Sequence, residues 1–136
     1  MTAVLVDTNV LVDILTGDAA WAGWSAGALA EAMERSTIVI NPIVYGELSV
    51  GFRTIEGLDE ALPPDLYRRE PLPYAAAFLA SKAFEAYRLR GGARTSPLAD
   101  FYIGAHAAVS GYQLLTRDAA RYRTSFPRLS IIAPGA

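Results

Sequence analysis

Four acidic residues occupy positions where a hydrophobic segment gives way to a turn or a helix. Asp7 follows a run of apolar residues, and Asp118 comes shortly after another apolar run. Glu47 and Asp100 lie on predicted helices. In an open parallel sheet the carboxyl ends of the strands share one edge, and ligands bind in the crevice there. Four carboxylates gathered on that edge would form a divalent-metal site, which indicates phosphodiester chemistry.

Each of these acids also has an ordinary explanation. Asp7 and Asp118 could cap the helices that follow them, Glu47 could face solvent, and Asp100 suits the first turn of a helix. If the four converge, their charges are costly, since two like charges 4 Å apart repel by about 4 kcal/mol at an effective dielectric of 20. A convergent cluster should therefore bind a cation or hold some carboxyls protonated. The sequence leaves the distances between them open.

The order of elements predicts a three-layer α/β/α fold with a central, mostly parallel and twisted sheet, in one domain spanning residues 1–136. The strands read as continuous apolar runs between helices, which is typical of a parallel sheet covered on both faces. The segment 58–72 matches no motif and is assigned no role. The predicted strands are 3–7, 37–41, 113–116 and 129–133, and the predicted helices are 10–15, 18–35, 42–52, 55–62, 74–90, 97–109 and 119–122, with Ser96 as a cap and Gly111 as a stop.

Composition restricts the classes of protein to consider. The 136 residues include no cysteine, which excludes a disulfide scaffold and a thiolate metal site and suits a cytoplasmic location. The apolar N-terminal segment lacks a basic leader and contains two aspartates, so we expect neither a signal peptide nor a membrane span.

The net charge of −2 conceals an asymmetry between the two parts of the chain. Residues 1–81 carry a net charge of −7 and residues 82–136 a net charge of +5, and all but one of the basic residues are arginine. Arginine suits bidentate binding of phosphate, and it also suits protein interfaces. The basic part is therefore either a solvated surface or a face for nucleic acid or an acidic partner.

The chain resembles a PIN-domain ribonuclease, and in particular a toxin of the VapC type. One such motif alone would be weak, but here several occur in the order and spacing of the family over nearly the whole chain. The matching segments are Val4 to Leu11, Asn41 to Leu48, Leu98 to Ala107, Leu114 to Asp118 and Phe126 to Leu129.

The resemblance implies roles for particular residues. The family's acidic metal-binding positions correspond to Asp7, Glu47, Asp100 and Asp118, while Asn9 and Thr116 match polar positions that support the first acid and the metal-activated water. Such proteins use Mg²⁺ or Mn²⁺ to cut RNA, usually form homodimers, and are neutralised by a small VapB-type antitoxin. The chain would then be the toxin of a type II toxin–antitoxin pair.

Several other polar and charged residues lie outside the four acidic positions. Asp13 is predicted to be a surface acid, and His106 to be a packed or hydrogen-bonded helix residue rather than a catalyst. Arg117 could contact phosphate or form a salt bridge. The other candidate RNA-binding residues are Arg90, Arg94, Arg121 and Arg123.

Several aromatic residues are compatible with either core or interface. Trp21 and Trp24 lie three residues apart on one predicted helix, where they could belong to the core or to a groove that binds the antitoxin. The aromatic residues that could serve either the core or a homodimer face are Tyr74, Phe78, Tyr87 and Tyr102.

Two other functions remain open. A phosphotransferase of the haloacid-dehalogenase type also places an aspartate after its first strand, but it needs a second aspartate where this chain has Asn9 and a late lysine. The sole lysine here is Lys82, inside a helix. A non-catalytic PIN-like module that binds RNA or protein is the other alternative, and a cleavage assay separates it from an enzyme.

Overall fold

The computed structural model describes residues 3–91 and 98–135. A five-stranded sheet, in the order β3-β2-β1-β4-β5, lies between layers of helices, so the predicted three-layer α/β/α architecture is confirmed. Every pairing between its neighbouring strands is parallel. The elements are β1 (Ala3–Val6), α1 (Thr8–Thr16), α2 (Ala22–Arg35), β2 (Thr37–Ile40), α3 (Pro42–Ser49), α4 (Ile55–Ala61), β3 (Arg68–Arg69), α5 (Tyr74–Leu89), α6 (Leu98–Ser110), β4 (Gln113–Leu115), α7 (Ala120–Arg123) and β5 (Ile131–Ile132).

The central strand β1 is buried along its whole length. Val6 pairs with Leu115 of β4, and Leu5 pairs with Val39 of β2. A strand covered on both faces has no solvent side for polar residues, which explains why the sequence shows continuous apolar runs instead of alternation. This register also fixes which residues leave the sheet side by side at its carboxyl edge.

The edge strand β3 was not predicted, and it lies in the segment 58–72, to which the sequence analysis assigned no role. Arg68 and Arg69 pair with Val39 and Ile40, and the backbone N–H of Glu70 donates to the carbonyl of Ile40 at 3.0 Å. The strand has two exposed, charged residues and a partner on one side. It therefore lacks the apolar pattern by which strands are recognised, and its charges suit an unpaired edge.

Some element boundaries differ from the predictions. Helix α2 begins at Ala22 rather than at residue 18, because the Asp18 carboxylate accepts N–H bonds from Ala20 and Trp21 and caps a turn before the helix. Helix α3 ends at Ser49 rather than at 52. Strand β5 covers two residues of the predicted 129–133. The predicted cap Ser96 lies outside the described residues.

Gly111 ends helix α6, as predicted. Its φ of 70° lies in the left-handed region that favours glycine, and the N–H of Tyr112 donates to the carbonyl of Ala107 at 2.9 Å. The turn leads directly into β4, which carries the chain to Thr116. Among the helices of the described ranges, none is long and apolar enough to cross a membrane.

Gly104 allows α6 to approach the segment that contains α7. A Cβ atom at this position would lie 2.5 Å from a ring carbon of Phe126 and 3.0 Å from a ring carbon of Tyr122. Such distances require the rings or the helix to move. Close contact between these elements therefore depends on the absence of a side chain at residue 104.

We expect Gly104→Ala to lower the free energy of unfolding by about 1–3 kcal/mol, because it overpacks this contact. Gly27→Ala is the matched control, since Gly27 also lies inside a helix but has open space around it. The control should be neutral or stabilising by up to about 1 kcal/mol. Urea unfolding measures both, and equal stabilisation by the two variants would contradict the close approach.

Candidate active site at the carboxyl edge of the sheet

Asp7 and Thr116 follow paired residues of β1 and β4 and therefore leave the sheet next to each other. The N–H of Asp7 donates to the carbonyl of Leu115 at 2.8 Å, and the N–H of Thr116 donates to the carbonyl of Ile132 at 3.0 Å. Both side chains are buried. The sheet register, and not a flexible loop, fixes their relative position.

Two hydroxyl groups donate to one oxygen of the Asp7 carboxylate. Oδ2 accepts from Thr116 Oγ1 at 2.8 Å and from Tyr122 OH at 2.7 Å. Burial raises the pKa of Asp7, and the hydrogen bonds from Tyr122 and Thr116 oppose that rise. Tyr122 is itself fully buried, and burial together with the Asp7 charge raises the pKa of its phenol. Tyr122 therefore remains a neutral donor that holds Oδ2 in place.

Thr116 joins several parts of the site through one hydroxyl. It gives its proton to Asp7, and its oxygen accepts from Asn9 Nδ2 at 3.3 Å and from the N–H of Asp118 at 3.0 Å. The carbonyl oxygen of the Asn9 side chain accepts from the N–H of Arg117 at 3.3 Å. With its proton bonded to a carboxylate, Thr116 has no proton left to donate to a water.

Glu47 reaches the site from helix α3. The Asn41 side chain caps that helix by accepting from the N–H groups of Ile43 and Val44, and Pro42 occupies its first turn. Glu47 is exposed, and its Oε1 accepts from Thr8 Oγ1 at 2.6 Å. Sequence reasoning gave no role to Thr8, the residue directly after Asp7.

Asp100 is largely buried in the first turn of α6, with 7% of its surface exposed. Burial raises the pKa of Asp100 to about 6, with further contributions from the negative charges of Asp7 and Glu47, and the positive charge of Arg121 opposes the rise. The carboxylates of Asp7 after β1 and Glu47 on α3 thus act electrostatically on Asp100 of α6. These three acids, which the sequence places after a strand and on helices, are close enough to affect one another's charge.

Asp118 is connected to Asp100 by an arginine. Arg121 forms an ion pair with Asp118, with Nε 2.8 Å from Oδ2, and donates a hydrogen bond from Nη1 to Asp100 Oδ2 at 3.2 Å. Asp118 does not cap α7 through its side chain. Arg121, a candidate RNA ligand in the sequence, therefore binds the acids of the site in this structure.

The donor set is suited to a hydrated divalent cation. Within residues 3–91 and 98–135, no three acidic or histidine side chains are arranged to hold one ion between them. Mg²⁺, however, is usually held by one or two carboxylates and keeps several waters. Burial is the main cause of the raised pKa values of Asp7 and Asp100, and the charges of neighbouring carboxylates add to it. A bound cation would offset the negative charge of these acids. The residues therefore fit a divalent cation whose coordination is completed by water.

A model of the PIN-domain family matches residues 4–127. The chain belongs to the PIN-domain family. PIN domains are nucleases, which hydrolyse phosphodiester bonds. The comparison with curated proteins gave no match.

Solved structures with the same fold come from toxin–antitoxin complexes. VapBC2 from Rickettsia felis, bound to a DNA fragment from their promoter, is 18% identical with a TM-score of 0.75, covering 97% of this chain and 98% of that chain. VapBC-1 from nontypeable Haemophilus influenzae is 16% identical with a TM-score of 0.74 and the same coverages. FitAcB from Neisseria gonorrhoeae is 18% identical with a TM-score of 0.69, covering 95% and 96%. At these identities the likeness establishes the fold.

Asp13 of this PIN domain is not the predicted surface acid. It is 1% exposed, and its carboxylate accepts from Arg117 at 2.8 and 3.1 Å and from Ser25 Oγ at 2.8 Å. The Arg117 guanidinium also lies 5.5 Å from the ring centre of Trp21. Arg117 is therefore a salt-bridge residue that ties the segment before Asp118 to α1 and α2.

The structure locates some of the remaining candidates for RNA binding and for the antitoxin groove. Arg90 lies 6.0 Å from the ring centre of Tyr87, and Arg94 lies outside the described residues. Trp24 is half-buried and packs against the core. It also lines a groove of about 470 Å³ between α2 and the end of β5, and antitoxin binding in this groove stays a prediction.

His106 is a buried, hydrogen-bonded residue of α6, as predicted. Its Nδ1 lies 3.0 Å from Asn41 Nδ2, and its Nε2 lies 3.3 Å from Glu70 Oε1. Burial lowers the pKa of His106. Through Asn41 it supports the helix that carries Glu47, and no nucleophile is placed beside it in the described structure.

Tyr122→Phe should lower the free energy of unfolding by about 1.5–3 kcal/mol in EDTA at pH 8, because it removes a buried hydrogen bond to a carboxylate. The control Tyr74→Phe removes the same hydroxyl from a side chain that is 95% exposed, and it should have no effect. Urea unfolding measures both variants. Equal stability of Tyr122→Phe and the wild type would show that the phenol does not support Asp7.

The raised pKa of Asp100 predicts a pH-dependent cost to stability. Its folded pKa of about 6 exceeds the unfolded value of 3.8, so the folded state binds the proton more tightly. The contribution of this group to the free energy of unfolding therefore falls as the pH rises from about 4 to about 6. Above about pH 6, the free energy of unfolding is lowered by the full amount that the raised pKa of Asp100 implies.

We expect Asp100→Asn to gain stability relative to the wild type across this range, by up to about 3 kcal/mol in EDTA, and to keep that gain at higher pH. The exposed Asp65 provides the control Asp65→Asn, whose difference from the wild type should stay nearly constant. Urea unfolding at several pH values gives both differences. A pH-independent difference for Asp100→Asn would contradict the raised pKa.

Proposed function

We propose that this PIN domain is a Mg²⁺- or Mn²⁺-dependent endoribonuclease and the toxin of a type II, VapBC-type toxin–antitoxin pair. The observation that carries the proposal is the set of contacts that joins three acids at the carboxyl edge of the sheet. Thr116 donates to Asp7 and accepts from the N–H of Asp118. Arg121 contacts both Asp118 and Asp100. Membership of a nuclease family and the fold shared with VapBC structures support it.

Asp7, Glu47, Asp100 and Asp118 would hold the ion, one or two of them directly and the others through water, since no three of these described residues are arranged to contact one ion. When bound, a divalent cation supplies activation of water and stabilisation of negative charge at the phosphate. The protein's own part is to fix the carboxylates. Thr116 and Tyr122 both donate to Oδ2 of Asp7, which fixes the orientation of this carboxylate.

The two alternative functions, a dehalogenase-type phosphotransferase and a non-catalytic PIN-like module, have less support. Asn9 stands where a dehalogenase-type phosphotransferase needs an acid, and its amide binds Thr116. Lys82 lies on α5 with 60% of its side chain exposed and pairs with Glu85 at 3.9 Å. A non-catalytic PIN-like module would not need two buried acids, Asp7 and Asp100, at this edge of the sheet, and a cleavage assay is the direct test.

The proposed partners are RNA, a VapB-type antitoxin and a second copy of this chain. Tyr74 and Phe78 are 95% and 66% exposed on α5, so they are available for a homodimer face. Tyr87 and Tyr102 pack against the core. Structures of the same fold are described as VapBC complexes, which supports the antitoxin.

Asp7→Asn should reduce Mn²⁺-dependent cleavage of mixed RNA by about 100-fold or more, because it removes a charge that holds the ion. Asp65→Asn carries the same change at an exposed position and should cleave like the wild type. Gel analysis of RNA with Mn²⁺ or with EDTA measures the activity, and thermal melting confirms that both variants are folded.

Equal cleavage by folded Asp7→Asn and the wild type would assign the activity to a contaminant. Cleavage by neither, with retained RNA binding, would favour the non-catalytic module. Growth arrest on expression of the wild type, absent for Asp7→Asn, is the cellular result that the toxin assignment requires.

A further inference from the structure

Arg121 forms a bridge between two acids of the proposed metal site. Its Nε lies 2.8 Å from Asp118 Oδ2 and its Nη1 lies 3.2 Å from Asp100 Oδ2. The Arg121 side chain is 47% exposed, whereas that of Asp100 is 9% exposed. The guanidinium thus contacts both carboxylates from a half-exposed position, with the side chain of Asp118 itself 38% exposed.

We propose that Arg121 is an internal counter-ion that holds Asp100 and Asp118 in the metal-free protein and is displaced from them when a divalent cation binds. The inference rests on the proposed function, since it requires the metal site. A cation bound to these carboxylates would lie beside the guanidinium and repel it. The same oxygen atoms would also be needed by both positive groups.

The surroundings of Arg121 allow such a displacement. An ion pair with a half-exposed partner is weak, because water screens it and the long side chain loses entropy when it is held. Arg117 provides the contrast on the other side of Asp118. It donates two hydrogen bonds to the buried Asp13 and lies over Trp21, so its guanidinium is fixed. One arginine beside Asp118 is therefore locked, and the other has solvent to move into.

If the guanidinium competes with the metal, removing Arg121 should raise the affinity for the metal ion, whereas removing a metal ligand would lower it. Binding of a cation must first break the bridge, so its removal should strengthen metal binding. We expect Arg121→Gln to bind Mn²⁺ about fivefold more tightly than the wild type in isothermal titration calorimetry. Arg123→Gln, at an exposed residue of the same helix, removes the same charge outside the bridge and should bind like the wild type.

The possible results separate the counter-ion from the metal site itself. Equal or weaker Mn²⁺ binding by Arg121→Gln would overturn the counter-ion role and leave the metal site standing. Equal tightening in both arginine variants would show a general charge effect and would also overturn it. Absence of Mn²⁺ binding in the wild type and in Arg121→Gln would overturn the proposed metal site and the displacement together.

A measurement on the wild-type protein avoids dependence on how the variants fold. The Nη–H protons of Arg121, assigned by their loss in Arg121→Gln, should be protected from exchange with water in EDTA, because Nη1 donates to Asp100. Saturating Mg²⁺ should abolish this protection in nuclear magnetic resonance spectra, whereas the Nε–H of Arg117 should stay protected. Retained protection of Arg121 with Mg²⁺ bound would overturn the displacement.

Discussion

The carboxylate of Asp7 is buried at the end of the central strand, and a buried charge requires hydrogen-bond donors around it. Thr116 from the end of β4 and Tyr122 from α7 supply them. These contacts bring the segment that carries Asp118 against β1, since Thr116 also accepts from the N–H of Asp118. The need to satisfy one carboxylate thus determines how two strands and a helix meet at this edge of the sheet.

The charge balance of the pocket links this arrangement to function. Burial raises the pKa of Asp100 to about 6, and the negative charges of Asp7 and Glu47 add to that rise. Arg121 compensates part of the charge from the solvent side. A site that is short of positive charge and fixed by the sheet is suited to a divalent cation, and the PIN-domain family gives that chemistry a nuclease context.

Local sequence patterns predict the placement of Asp7 and Asp118 after strands, because apolar runs and turns are local features. They do not reveal partners that are distant in the chain. Its own helix predicts that Asp13 is a surface acid, but Asp13 is buried and accepts a hydrogen bond from Arg117, 104 residues away. Tyr122 gave no chemical signal beyond its position one helical turn after Asp118. Its role depends on a contact with a strand 115 residues earlier.

The most direct test of the metal site is a crystal structure of the protein soaked in Mn²⁺, with anomalous scattering used to locate the ion. We predict an anomalous peak within about 2.5 Å of an oxygen of Asp7 and next to Asp100, with waters completing the coordination. A fully occupied peak elsewhere, or no peak at saturating Mn²⁺ with an open pocket, would contradict the account.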